Sequence, residues 1–492
     1  MIELGDLQAD LPALKNSGAI QVDNVIPLAK GYKSFNSFVE LTTTPTTNNP
    51  VGLFPHLATS GAINYCGDQT KLYQANASGT FIDKSKAGGY NNSTTAGSKD
   101  YWSFVSFGDR VIASNFADNI QKFDTGDSAF SDLVSVKAKY LAVISQFVFA
   151  GYTIEGGTTY SQRLKWSGLN NSAQWTSSQS TQSGFQDIRG DHGVIQGVVG
   201  GESFGIVFFE RAIFRIDYVG TPLIWSISKI SDNIGAFSPK SIVSFGDTIY
   251  FLAQDGFYSL EKGQKLTPIG IGRVNEFFYS DITSDFENIC GSVDPDNSII
   301  VWSYRGVGAT TSGVNNKLLI YNFSVRKWST ASGLSIVFLG SASQTAFTTL
   351  ESLDVLGSID NLPYSLDSFR FTEDIISLGA FSSDKKFGKF LGGSLPATIT
   401  TTEFEVEGRR STLISARPIV DANGETTTVT VTPSQRPSQI VSPIEGQAVS
   451  VRDNGDCPLR STGRYHRLKI NINGNFKNVL GVDVDQRPEG KR

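Results

Sequence analysis

The sequence predicts an all-β chain: a β-propeller of six or seven blades, preceded by an N-terminal arm and followed by a C-terminal β platform. Three observations predict it. Ser244-Phe245-Gly246-Asp247 repeats as Ser106-Phe107-Gly108-Asp109, an offset of 138 residues or three steps of 46, and four-stranded blades recur every ~40–50 residues. Residues 248–252 and 257–260 are short apolar runs either side of Asp255-Gly256, and Asp-Gly between β-prone runs signals a hairpin because Gly accepts positive φ. The 492 residues include 33 Phe, 16 Tyr and 49 Gly with only 18% charged residues, a mixture of β-forming side chains and turn glycine.

Residues 1–48 read as an arm. Pro12, Gly18, Pro27, Gly31 and Pro45 punctuate it, so it needs another surface to become ordered. Residues 49–395 read as the propeller. Its first unit has strands at 61–66, 71–74 and 80–82, its second at 101–107, 110–114 and 119–123, and its third at 140–152 and 162–166. The fourth, with strands at 194–199, 205–209, 212–218 and 223–229, has the clearest four-strand pattern, and the Ser244 unit is the fifth. Val274, Phe277 and Phe278 stand at helical spacing and predict a short helix over 273–279. A sixth unit follows at 289–293, 298–304, 317–323 and 326–329, and looser candidates at 336–340, 347–350 and 377–381 supply a seventh. Residues 396–492 form the platform, where 397–407 and 426–432 alternate as half-buried strands do.

A net charge of −5 argues against broad nonspecific nucleic-acid binding. Cys66, Cys290 and Cys457 are sparse and odd in number, which predicts neither a disulfide framework nor a zinc site and suits a reducing site of synthesis. The first residues lack a basic start and apolar core, and the most apolar run, 140–154, is too short for a bilayer, so a soluble protein without a membrane span is expected. Gly201-Glu202-Ser203-Phe204-Gly205 matches the nucleophile-elbow pattern, but Ile206-Val207-Phe208-Phe209 after it reads as a strand where that chemistry needs a helix. Asp294-x-Asp296-x-Ser298 starts like a calcium loop, yet Ile299 occupies the position that needs Gly. These, with Asp421-x-Asn423-Gly424, read as turns first. Only three histidines are present. The expectation is no enzyme, no catalytic residue, no metal and no cofactor.

Residues 401–492 carry ten Arg and three Lys against eleven acids, so this part is positive and the remainder negative. Arginine makes bidentate contacts and keeps its charge when desolvated. Arg409, Arg410, Arg464 and Arg467 are therefore the interface candidates, weighed evenly against a solvated basic face.

The two ends carry the most specific pattern. Asp10-Leu11-Pro12-Ala13-Leu14, Ala19, Asn24-Val25-Ile26-Pro27 and Gly31-Tyr32 open it. Asp456-Cys457-Pro458-Leu459-Arg460, Gly463-Arg464-Tyr465-His466-Arg467, Gly481-Val482-Asp483-Val484-Asp485 and Gly490-Lys491-Arg492 close it, with Leu378-Gly379-Ala380-Phe381 and Gly388-Lys389-Phe390-Leu391-Gly392-Gly393 between. This pattern resembles the tail nozzle, or tail hub (packaged-DNA stabilisation), proteins of short-tailed bacteriophages. The resemblance implies a structural virion protein, made in the host cytoplasm, that forms a homo-oligomeric ring, a hexamer in the family, below the portal and its adaptor ring. It would retain the packaged double-stranded DNA, let it pass without sequence-specific binding, and dock tail fibres or spikes and a plug or needle. The competing reading is a host-surface glycan-binding or glycan-cleaving propeller of the tail. An acidic bore would suit a DNA conduit, since each cation that neutralises a phosphate adds grip.

Overall fold

Tight turns set the architecture of the first two-thirds of the chain. In the computed structural model, which describes residues 1–12, 16–59, 61–76, 79–91, 101–343, 376–405, 409–422, 426–434 and 446–489, both copies of the Ser-Phe-Gly-Asp repeat close hairpins. Phe107 pairs with Arg110 and Phe245 with Thr248. Gly108 (φ +60°) and Gly246 (φ +56°) take the positive angle at the first turn position, where glycine alone is unstrained. The expected strand at 347–350, the Asn423-Gly424 turn, Ala13-Leu14 and Gly490-Lys491-Arg492 lie outside the described residues.

Five antiparallel meanders of four strands follow one another. They begin at Pro50–Ala58, Ser103–Phe107, Lys137–Ile144, Ile195–Val199 and Val243–Phe245, and in each the strands pair in chain order. Inner strands such as Phe147–Glu155 and Phe204–Phe209 are apolar on both faces because a neighbouring sheet covers each side. The cores form between sheets. Tyr65 and Leu72 of the first meander meet Trp102 and Val111 of the second. Ile112 meets Leu141 and Val148 of the third, Phe149 and Leu164 meet Ile195 and Val207 of the fourth, and Ile206 and Phe208 meet Ile249 and Phe251 of the fifth. The single expected strand over 140–152 is two, because Ser145 (φ +53°) and Gln146 form a turn between the paired Ile144 and Phe147. The short helix is present at Asn275–Asp281, with Val274 and Phe278 buried.

The propeller of six or seven blades is not what the described residues form. The strands are distributed over seven sheets: the five meanders, one sheet of thirteen strands and one of six. None closes into a barrel, propeller or solenoid. The sixth unit is no separate blade. Its last strand, Lys327–Ser343, absorbs the expected 336–340 strand, pairs with Ile376–Ser382, and carries the sheet onward through Ala19–Asp23, Ala397–Thr401, Tyr465–Asn473 and Thr426–Ser434. The seventh-blade candidates at 336–340 and 377–381 are therefore parts of the same sheet. A fixed repeat implied self-contained units, whereas after residue 290 the open edges are satisfied by strands from both ends of the chain.

The six-stranded sheet has the order Val25–Pro27, Tyr32–Ser34, Phe476–Pro488, Ser411–Ala422, Cys457–Gly463, with Ile2–Glu3 added on Phe476–Pro488. One apolar core lies between this sheet and the larger one, containing Val22, Val25, Tyr32, Trp302, Trp328, Leu413, Ile470 and Val479, and it reaches Leu252 and Phe257 of the fifth meander.

Candidate interface: the terminal platform

Asn24 is the stitch that fixes the arm. It sits between two short strands at φ +62°, a conformation open to Asn but strained for most side chains. Its Nδ2 donates to the Pro396 carbonyl (2.9 Å) and its Oδ1 accepts from the Ser332 amide (2.9 Å), while its own amide donates to the Thr330 carbonyl (2.7 Å). Hydroxyls of the long strand complete the seam: Ser329 Oγ donates to the Val25 carbonyl (2.6 Å) and Thr330 Oγ1 to the Val22 carbonyl (3.0 Å). Asn322 Nδ2 reaches the Pro27 carbonyl at 2.9 Å.

The two ends of the chain then meet directly. Tyr32 pairs with Val479 and its buried hydroxyl donates to the Gly5 carbonyl (2.6 Å); burial and the nearby Asp6 carboxylate hold that phenol far above its usual pKa. Gly31 lies against the same strand at φ +75°, where a Cβ would come within 2.1 Å of the Val479 carbonyl oxygen, so only glycine fits. Val39 and Glu40 pair with Lys389 and Gly388. Asp6 meets Lys327 (3.0 Å) and Arg273 (3.5 Å), and Asp10 Oδ1 accepts from the Phe277 amide (2.9 Å). Motif residues from the two ends, among them Gly31-Tyr32 and Gly481-Val482, thus belong to one construction.

Its surface is where the four candidate arginines are distributed. Ser411 pairs with Gly463, so Arg410 and Arg464 stand opposite each other one residue beyond that pair, with Arg409 adjoining. All three are exposed. Arg410 meets Glu489 at 3.6 Å with both side chains nearly half exposed, an arrangement worth little by itself. The Arg464 guanidinium lies over the Tyr465 ring at 5.7 Å. Arg467 is different: its side chain is only 24% exposed and meets Glu403 (3.1 Å), a carboxylate 7% exposed. Ile414 and Leu480 add exposed apolar surface to the six-stranded sheet.

Under this surface His466 is fully buried, with Nε2 2.9 Å from Ser411 Oγ; burial lowers its pKa. Sequence reasoning passed over a buried titratable group, Lys389. It is 3% exposed, and its ammonium donates to the Ser343 carbonyl (3.0 Å), which Asn64 Nδ2 also reaches (3.2 Å). Burial pushes its pKa down to about 7, against the opposing pull of Asp296 and Asp294. A lone Lys between Gly388 and Phe390 in an apolar run was the available signal.

Elsewhere the motifs resolve as turns. Gly201-Glu202-Ser203 joins antiparallel strands, with Val199 paired to Ile206 and Ser203 exposed, so no strand–turn–helix elbow exists there. Asp294 pairs with Ile299 across a turn in which Asn297 Nδ2 donates to Asp294 Oδ2 (2.6 Å). Cys66, Cys290 and Cys457 are free and buried, and among the described residues no cluster of three or more His, Cys, Asp or Glu could hold a metal. No described helix is long and apolar enough to cross a membrane.

No protein-family model matches the chain, and no curated protein does. Among solved structures, the crystal structure of the computationally designed Ika8 protein aligns with 71% of this chain and 98% of its own, at 10% identity and a TM-score of 0.36, a likeness too slight to bear on fold or function.

Proposed function

We propose that this chain is a structural component of a short-tailed phage tail: a nozzle or hub that assembles as a ring beneath the portal and adaptor, retains packaged DNA and gives it an exit path. The observation that carries the reading is the interlocking of the terminal motifs. Strands from the two ends that carry the resemblance, among them Ala19–Asp23, Val25–Pro27, Tyr32–Ser34, Cys457–Gly463, Tyr465–Asn473 and Phe476–Pro488, share two sheets, as one building task for both ends would require. The exposed Arg409, Arg410 and Arg464 with Ile414 and Leu480 supply a mixed cationic and apolar face of the kind protein partners use. On this reading the adaptor ring docks on that face, and fibres, spikes and the plug or needle attach elsewhere.

Electron microscopy of virions carrying a label on this chain tests the proposal. Label at the vertex that bears the tail, between head and distal tip, is the expected result. Label on the capsid shell or at fibre tips would overturn it.

A further inference from the structure

Two of the three histidines bridge separate sheets in the same way. His56, buried on Pro50–Ala58 of the first meander, places Nδ1 2.7 Å from Ser106 Oγ on the first strand of the second. His466, buried on the thirteen-stranded sheet, places Nε2 2.9 Å from Ser411 Oγ on the six-stranded one. In both rings the other nitrogen, His56 Nε2 or His466 Nδ1, is enclosed without a hydrogen-bond partner. The third histidine, His192, rests on the Phe209 and Phe214 rings.

A serine hydroxyl can donate or accept, so each bridge suits either neutral tautomer. The imidazolium is different. Both of its N–H groups need acceptors, and the enclosed nitrogen has none, so a charged donor would be buried bare. Around His56, the Tyr65 ring packs edge-on at 6.1 Å. The Asp109 carboxylate there accepts from the Thr59 amide (3.1 Å) and hydroxyl (2.9 Å), and Arg110 is held by Asp124. Around His466, Phe404 packs on the ring at 5.9 Å with Glu405 beside it, Arg464 and Arg467 flank the ring on its own strand, and Arg410 adjoins Ser411. Glu403 and Glu489 are engaged by Arg467 and Arg410. Burial lowers both histidine pKa values, outweighing the opposite pull of Asp109 on His56 and of the Ser411 and Gly463 backbones on His466.

We propose that these two bridges are an acid-sensitive latch: when the rings take up protons, the first meander parts from the second and the six-stranded sheet parts from the thirteen-stranded one. Each ring binds its proton more weakly in the fold than in the opened chain, where the ordinary value is 6.5. The opened state therefore gains protons first as pH falls, and the seams weaken below that value. The latch stands independently of any role in a tail.

Hydrogen exchange of the full chain at about pH 7.5 and about pH 5, corrected for intrinsic rates, tests this. Pro50–Ala58, Ser103–Phe107, Ser411–Ala422 and Tyr465–Asn473 should lose protection in acid, while Phe147–Glu155, an inner strand of the third meander, should keep it. His56→Asn and His466→Gln put an uncharged amide at the reach of each bonded nitrogen, and together they should abolish the acid-induced loss. NMR of isotope-labelled histidine in the unsubstituted chain reads the same step without a variant: both rings should stay neutral until protection falls. Protonation of either ring while its seam stays protected, a loss of protection spread equally over Phe147–Glu155, or an acid response unchanged in the double variant would each overturn the proposal.

Discussion

The five meanders and the terminal platform are built from the same antiparallel pairing, yet they solve opposite problems of chain connection. In a meander each strand pairs with the next one along the chain, most closely through turns such as Gly108-Asp109. In the platform Ala19 pairs with Thr401, Glu40 with Gly388 and Tyr32 with Val479. The entropic cost of closing a loop grows only slowly with its length, by roughly 0.6 kcal/mol per doubling, so equilibrium stability is compatible with such distant pairs. What they demand is specificity, because no local turn sets their register. The platform supplies it with buried side-chain hydrogen bonds at the seams, where the meanders rely on turn geometry and aromatic packing.

Lys389 is where this difference should be largest in energy. Its ammonium is buried inside the distant-pairing region, donates to the Ser343 carbonyl, and holds its proton more weakly there than in the unfolded chain, with a pKa about 7 instead of 10.5. The unfolded state therefore binds more protons between those values, and stability rises with pH across that window. Below pH 7 the group costs the fold up to about 5 kcal/mol, a difference of three to four pKa units at ~1.36 kcal/mol each. Lys389→Met should accordingly stabilise the protein by several kcal/mol at pH 6, with the gain shrinking toward zero as pH approaches the ordinary lysine value. Calorimetric unfolding of both proteins across pH measures this. A gain that stays constant with pH would mean that Lys389 is not held as a weakly basic amine.

Asn24 sharpens the contrast from the other side. Asn24→Ala removes two partly buried side-chain hydrogen bonds and leaves at φ +62° a residue with a Cβ but no side-chain bond to compensate the strain. The expected loss is about 4 kcal/mol. Asn24→Gly relieves the backbone strain but not the lost bonds, and should cost about 1 kcal/mol less. The matching change in a meander, Gly108→Ala, affects one exposed turn with open space around the new Cβ and should cost only about 1–2 kcal/mol. Denaturant midpoints for the three variants order them. If Gly108→Ala proves as damaging as Asn24→Ala, the seams are no more specialised than the turns.

How far each region was legible follows from the same physics. Asp-Gly and Gly-Asp turns, apolar runs and the helix at 275–281 are local signals, and strands such as Arg110–Ser114 emerge at their observed bounds. The turn at Ser145-Gln146 was missed because strands covered on both faces lose the alternation that marks a strand's limits. The architecture misled for a more basic reason. A period of 46 describes spacing along the chain, but it says nothing of which edge strand a later segment will occupy, and the strand from Lys327 runs through to Ser343 where the repeat asked for a break. In the platform, Arg467 was grouped with Arg464 because composition shows charge but not partners: Glu403, which Arg467 meets, lies 64 residues earlier in the sequence.

That pair gives the finest test of the comparison. Arg467 and Glu403 are largely withdrawn from solvent, and Arg467→Ala leaves a carboxylate 7% exposed without its cation, a change expected to cost about 2 kcal/mol. Arg464, exposed over Tyr465, should contribute no more than about 0.5 kcal/mol to folding. If the proposed docking on an adaptor ring holds, its substitution by Ala should instead appear in assembly, as weaker association with that partner in a salt-dependent binding measurement. Thermal unfolding separates the two roles in a single pair of variants. Were Arg464→Ala to destabilise the isolated chain as much as Arg467→Ala, the basic edge would be part of the fold's own scaffolding and not a face presented to a partner.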